Sequence, residues 1–93
     1  MTYATIGTAT DILAWMKDYI ANLTGTTPDR IPEHATVDDL GIDSAQSVNM
    51  LAEMEEWLQL PNEISPEMLF EGGTVADIAD QVATVVHIAR VQS

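Results

Sequence analysis

Few residues in this chain are of a type that does chemistry. His34 and His87 are the only histidines, and neither stands at a spacing that pairs it with a nucleophile, so we predict surface positions and no catalytic role for both. The absence of cysteine excludes disulfides, thiolate metal sites and a cysteine nucleophile. The remaining candidate is Ser44, which follows Asp43 where a helical pattern begins. As chemistry alone, a serine at a helix start is most often an N-cap.

The acids around that serine raise the question of a metal site. Asp38, Asp39 and Asp43 lie within six residues, but the segment 38–53 lacks the alternating oxygen ligands and central glycine of an EF-hand loop. A weak site for a divalent ion is one interpretation of the three aspartates. A solvated acidic patch is the interpretation we favour, and no bound metal is predicted.

The charge of the chain is strongly one-sided. Fifteen acidic residues face three basic ones in 93 residues, for a net charge of −12. Such a surface repels nucleic acid and anionic lipid, and it attracts partners with basic patches, although solubility alone also accounts for it. The chain has no apolar run of membrane-spanning length and no signal peptide pattern, so we expect a cytoplasmic monomer with neither nucleic acid nor membrane as partner.

The first helix is predicted from apolar spacing that starts near Thr10, the expected N-cap, and runs to Gly25, the expected C-cap. A long first loop follows, over residues 24–40. Within it, Thr36–Asp39 has the form of a capping box and predicts one short turn. Three apolar side chains of this loop are expected to reach the core: Ile31, Val37 and Leu40.

Three further helices are predicted. The second covers 44–59, ends before Pro61 and has a broad apolar face that includes Val48. A short one starts at Ser65-Pro66, and the last follows a capping box at Thr74–Asp77. The sum is an all-α four-helix bundle with three long helices and one short one. We expect one folded domain over 10–90, a flexible leader over 1–9 and a tail over 91–93.

The residues around Ser44 resemble a known motif. Leu40-Gly41-Ile42-Asp43-Ser44 is similar to the phosphopantetheine attachment motif of acyl carrier proteins, which reads roughly D-L-G-x-D-S-L. The segments 65–71 and 74–79 look like the corresponding region of polyketide-type carriers. The resemblance extends from about Ile12 to Ala89. The Met1 start and the compact length favour a free-standing carrier, with an excised domain of a megasynthase as the alternative.

The resemblance implies a carrier protein and not an enzyme. It implies that Ser44 receives a 4'-phosphopantetheine arm from coenzyme A through a phosphopantetheinyl transferase, and that acyl groups ride on the arm's thiol as thioesters. It places Asp43 beside the serine to meet the transferase. It also implies the acyl-carrier fold, with the second helix as the surface that partners recognise.

Those partners would be a ketosynthase, an acyltransferase or other acyl-processing enzymes with basic docking patches. The chain departs from the family pattern at Ala45, where leucine is usual, and at Asn49, where an acid is frequent. Gly72-Gly73 replaces an aromatic–proline pair. These departures indicate a dedicated set of partners. The residues predicted to meet partners are Asp38, Asp39, Ala45, Asn49, Glu53 and Glu56.

Carriage in polyketide or related fatty acid biosynthesis is the leading hypothesis. Asp43 favours acyl carriage, because peptidyl carriers often have histidine before the serine. A peptidyl or aminoacyl carrier of a nonribosomal peptide pathway is one alternative. The other is an unmodified acidic helical module that only docks partners, and Ala45 is its best support.

Overall fold

The computed structural model describes residues 8–60 and 73–92. These residues form three long α-helices: α1 (Ala9–Thr24), α2 (Ser44–Leu58) and α3 (Val75–Gln92). A single 3-10 turn, Pro28–Arg30, interrupts the long first loop. No strand occurs in the described ranges, although an isolated antiparallel bridge pairs Thr36 with Thr74. The all-α class is confirmed, and the short helix predicted after Ser65-Pro66 lies outside the described residues.

The predicted N-cap of α1 is wrong by two residues. Thr8 is the N-cap, since its backbone is extended and its hydroxyl accepts a hydrogen bond from the Asp11 amide at 3.2 Å. Thr10, the predicted cap, already lies in the first helical turn. A threonine three residues before an aspartate therefore identifies the start better than the first apolar residue does. Gly25 ends the helix in the left-handed conformation, as predicted.

The core is built from one face of each helix. Its largest side chains are fully buried and come from all three helices in turn. Val48 was predicted on the buried face of α2, but 46% of it is exposed, because it lies at the edge of that face beside Ala45. The buried apolar side chains are Ile12, Met16 and Ile20 of α1, Met50, Leu51, Met54 and Leu58 of α2, and Val75, Ile78, Val82 and Val86 of α3.

The long first loop is held on both sides. The Lys17 ammonium of α1 contacts the Glu33 carboxylate at 3.2 Å. The amides of Val75 and Ala76 donate to the carbonyls of Ala35 and Glu33, each at 2.9 Å. These bonds satisfy two of the amide groups that the start of α3 would otherwise leave without a partner. The loop thus fixes the start of α3 relative to α1.

The apolar anchors of the loop are as expected, with one addition. Ile31 and Val37 are buried and Leu40 is half-buried against the core, as predicted. Ile42 is also buried and was not predicted.

The two histidines, His34 and His87, are exposed, as predicted. None of the helices in the described part of the chain is both long and apolar enough to cross a membrane.

α1 and α2 are joined by a short aromatic stack. The Trp15 ring stacks on Tyr19 with centroids 5.3 Å apart and on Trp57 with centroids 5.5 Å apart. Because Trp57 belongs to α2 and the other two rings to α1, the stack sets the lateral position of α2. The N-terminus of α2, where the motif lies, is positioned separately by the loop that precedes it.

Candidate functional site

The prediction that Ser44 caps α2 is wrong. Asp43 is the N-cap: its carboxylate accepts from the Gln46 amide at 2.8 Å, and the Gln46 side chain accepts from the Asp43 amide at 3.1 Å. Aspartate followed three residues later by glutamine completes a capping box, and this pair displaces the serine by one position. Ser44 becomes the first helical residue, and its exposed side chain makes no hydrogen bond to any described residue.

The turn before Asp43 aims the serine. Thr36 and Asp39 form the predicted capping box, since the Asp39 amide donates to the Thr36 hydroxyl at 3.0 Å and the Thr36 amide donates to the Asp39 carboxylate at 3.4 Å. Gly41 follows at φ 80°, a left-handed conformation that side-chain-bearing residues avoid. Ile42 then enters the core, and its amide bonds to the Val37 carbonyl at 3.1 Å. With Ile42 anchored inward, Asp43 and Ser44 face outward.

A pocket of about 600 Å³ lies beside Ser44. This volume is in the range of small-molecule sites. The lining residues divide by exposure, because the exposed ones form a polar rim and the buried ones form an interior. The rim comprises Asp38, Asp43, Ser44 and Gly73, Thr36 is intermediate, and the interior comprises Val37, Ile42 and Ser47.

Ser47 is unusual among these lining residues. It is 1% exposed and is the buried polar side chain of the described core. Its Oγ has no hydrogen-bond partner among the residues that the structure describes. A serine inside a helix commonly bonds to the carbonyl four residues back, and this one does not. The sequence analysis placed Ser47 on the apolar face of α2 and assigned it no role.

The acidic residues near the site remain dispersed. Asp38 and Asp43 are exposed on the pocket rim, and Asp39 is exposed while its carboxylate caps the turn. Across residues 8–60 and 73–92, no cluster of three or more acids or histidines has the geometry to hold a metal ion.

The outer face of α2 carries the predicted partner residues in two groups. Asn49 and Glu53 bond to α1: the Asn49 amide donates to Tyr19 Oη at 3.0 Å and to Glu53 Oε2 at 3.2 Å, and Tyr19 Oη donates to Glu53 at 3.1 Å. Burial of Tyr19 raises the pKa of its phenol, and the Glu53 carboxylate adds to this rise. Ala45 and Glu56 are exposed and take no part in this network.

Comparison with known proteins identifies the class. The family model described as "Phosphopantetheine attachment site" matches residues 14–82, more than half of the chain. The fold is similar to an NMR structure of the HMG-ACPI domain from the CurA module of Lyngbya majuscula, with a TM-score of 0.72 and 19% identity. That match covers 100% of this chain and 91% of the other. No curated protein matches this chain.

The chain therefore belongs to the phosphopantetheine-binding family and has the acyl-carrier fold. It is a carrier and not a catalyst. Its cofactor is 4'-phosphopantetheine, attached covalently. Its partners are a phosphopantetheinyl transferase and enzymes that process acyl groups. The structure fits this cofactor, because the exposed Ser44 lies on the rim of a pocket that could receive part of the arm.

Proposed function

We propose that Ser44 is the attachment residue and that the chain carries acyl intermediates of polyketide biosynthesis as thioesters. The observation that carries this proposal is the Asp43–Gln46 capping box, which leaves the Ser44 hydroxyl exposed and without a partner in the described residues. A serine engaged as an N-cap would have to give up a hydrogen bond before it reacted. This serine has no such cost.

The proposed attachment is a phosphoryl transfer in the transferase. The Ser44 Oγ loses its proton and forms a bond to phosphorus, while the pyrophosphate bond of coenzyme A breaks and adenosine 3',5'-bisphosphate leaves. The bound group supplies the thiol to which acyl groups are attached as thioesters. The chain has no cysteine and therefore no thiol of its own.

Two backbone groups support an anion at this position. The amides of Ser44 and Ala45 have no acceptor in the described structure, since the capping box uses the Gln46 amide and the helix uses the Ser47 amide. Amides at a helix N-terminus favour a phosphate group nearby.

The proposal extends to setting and partners. The domain over residues 10–90 acts as a monomer in the cytoplasm, in polyketide or related fatty acid biosynthesis. Ketosynthases, acyltransferases and related enzymes dock on the outer face of α2 through basic patches. Val48, 46% exposed, extends this face with an apolar contact one turn beyond Ala45, where the family usually has a leucine. The set of docking residues is Asp38, Asp39, Ala45, Val48, Asn49, Glu53 and Glu56.

The attachment site is tested by intact mass. The wild-type chain, incubated with coenzyme A, magnesium and a promiscuous phosphopantetheinyl transferase, should gain the mass of one phosphopantetheine. Ser44→Ala should gain nothing, while the matched control Ser47→Ala should gain the same mass as wild type. An unmodified wild-type chain with several transferases, or a modified Ser44→Ala chain, would contradict the proposal.

Partner docking is tested by charge reversal at Glu56. Glu56 is the better choice because reversal of Glu53 would also break its bonds to Tyr19 and Asn49. Glu56→Lys should lower kcat/KM of the transferase about two- to fivefold and weaken its salt dependence, since exposed ion pairs contribute modestly. Asp80→Lys, an equal charge change on the exposed side of α3, is the control and should change little. Equal effects of the two variants would place docking elsewhere.

A further inference from the structure

The interior of the pocket contains an unexplained feature. Ser47 Oγ is buried and has no hydrogen-bond partner among the described residues. A buried hydroxyl without a partner costs free energy, and native proteins satisfy nearly all such groups. The pocket that it lines also contains Ser44 on its rim, one helical turn away. Ser47 thus lines the same pocket as the proposed attachment point.

We propose that the pocket between the start of α2 and Gly73 binds a neutral carbonyl group of the arm or its acyl cargo, and that Ser47 Oγ donates a hydrogen bond to it. The inference rests on the proposed attachment at Ser44. It names the chemical group that the pocket takes, because a buried hydroxyl donor favours a carbonyl oxygen over a plain alkyl chain.

The apolar walls and the acidic rim of the pocket together favour a neutral carbonyl over a carboxylate. Val37 and Ile42 supply apolar walls that accept the carbon chain. Asp38 and Asp43 place two carboxylates on the rim, and these repel a cargo that ends in a carboxylate. A neutral oxo group is not repelled by the carboxylates of the rim. It can accept a hydrogen bond from Ser47 Oγ, which has no acceptor among the described residues.

Gly73, which lines the pocket beyond α2, does not tolerate a side chain. Its φ is 87°, and a Cβ at this position would lie 2.7 Å from the Asp77 carboxylate. That carboxylate is held in place because it accepts from the Thr74 amide at 3.2 Å. Any larger residue would therefore displace the carboxylate that takes part in the cap of α3. Because Ser47 is covered in the bare chain, entry of a carbonyl requires a small outward movement of the apolar lining.

The test uses the full chain loaded at Ser44 with four arms: unacylated, butanoyl, 3-oxobutanoyl and malonyl. Intact mass first establishes loading, so a failure of attachment is seen separately from a failure of this inference. Amide NMR spectra then follow Thr36, Ser47 and Gly73. We expect 3-oxobutanoyl to shift these amides more than butanoyl, and malonyl to shift them less than 3-oxobutanoyl.

Two variants assign the effect to the hydroxyl. Ser47→Ala should reduce the ratio of pocket-bound to free arm about 2- to 12-fold, the equivalent of one net hydrogen bond. Ser47→Thr, which keeps the hydroxyl, should retain most of the wild-type shifts. If the unacylated arm already shows the Ser47-dependent shift, the carbonyl is an amide of the arm. If only the 3-oxobutanoyl form shows it, the carbonyl belongs to the cargo.

Either of these results supports the proposal. Equal shifts for butanoyl and 3-oxobutanoyl, together with no difference between wild type and Ser47→Ala in any loaded form, would overturn it. The comparison of cargoes in the wild-type chain needs no variant, and it decides whether the bound carbonyl belongs to the cargo or to the arm. Malonyl shifts equal to those of 3-oxobutanoyl would overturn the role of the acidic rim.

Discussion

The polar side chains in the middle of α2 and the serines at its N-terminal end differ in their hydrogen bonding. In the middle of the helix, Asn49 and Glu53 are exposed, yet each is hydrogen-bonded, and Tyr19 ties both to α1. At the N-terminal end, Ser44 is exposed and Ser47 is buried, and neither hydroxyl has a hydrogen-bond partner among the described residues. The first region satisfies its polar groups within the described structure, and the second leaves them available.

This difference indicates that the two parts of α2 have different roles, one structural and one in binding. A satisfied network rigidifies the elements that it joins, and the Trp15–Trp57 stack adds to the effect on the same side of α2. Unsatisfied groups cost stability, and proteins retain them where a ligand completes their bonds. The middle of α2 therefore holds the helix against α1, whereas its N-terminal end has the groups that we propose receive the arm.

The largest effect is expected from the turn that aims Ser44. Gly41→Ala forces a side chain into the left-handed region, which costs roughly 1–2 kcal/mol. Urea denaturation of the apo chain should show this loss. Because the strain falls in the turn before Asp43, the variant should also accept phosphopantetheine more slowly.

Gly25→Ala is the matched control. Gly25 has φ 74° and, like Gly41, nothing within 4 Å of the position of an added Cβ, but it ends α1. We expect a similar loss of stability and an unchanged rate of modification. A similar slowing in both variants would show that the rate follows global stability and not the geometry of the turn.

A smaller effect compares one residue from each half of α2. Asn49→Ala removes two hydrogen bonds between side chains and should lower the free energy of unfolding by about 0.5–1.5 kcal/mol. Ser47→Ala removes a buried hydroxyl that has no partner, so apo stability should stay constant or rise by up to about 1 kcal/mol. Urea midpoints of the two apo variants test the contrast. A larger loss for Ser47→Ala would mean that the hydroxyl is structural.

The smallest effect concerns pH. Burial and Glu53 raise the pKa of Tyr19 above its unfolded value of about 10, so the protonated phenol is favoured in the folded state. The contribution to stability is complete below about pH 10 and is lost as the pH rises through the folded pKa. The decline in urea midpoint between about pH 9 and pH 11 should be smaller in Tyr19→Phe than in wild type. Equal declines in the urea midpoints of Tyr19→Phe and wild type would show that ionisation of Tyr19 does not affect stability.

Much of this architecture could be predicted from local patterns. Apolar spacing located α1 and α2 to within one or two residues, because burial of one face dominates helix placement. The capping boxes at Thr36–Asp39 and Thr74–Asp77 both form, since their bonds are local to four residues. Asp43 and Gln46 have the same capping-box spacing, one residue before the serine that we predicted as the cap.

Other features depend on contacts between distant residues. Tyr19 and Asn49 are 30 positions apart, and only the packing of α1 on α2 brings them within 3.0 Å. Val48 lies at the edge of an apolar face, where a helical wheel cannot separate burial from exposure. The free state of Ser47 depends on the absence of acceptors from several elements, which no local pattern encodes.

The most direct test of the account is to locate the modification itself. Tandem mass spectrometry of the wild-type chain, after reaction with coenzyme A and transferase, should place the phosphopantetheine on the peptide containing residues 43–48 and assign it to Ser44. The neighbouring Ser47, three residues away, should be unmodified. Assignment to Ser47, or to a serine outside this segment, would contradict the claim that the exposed first residue of α2 is the attachment point.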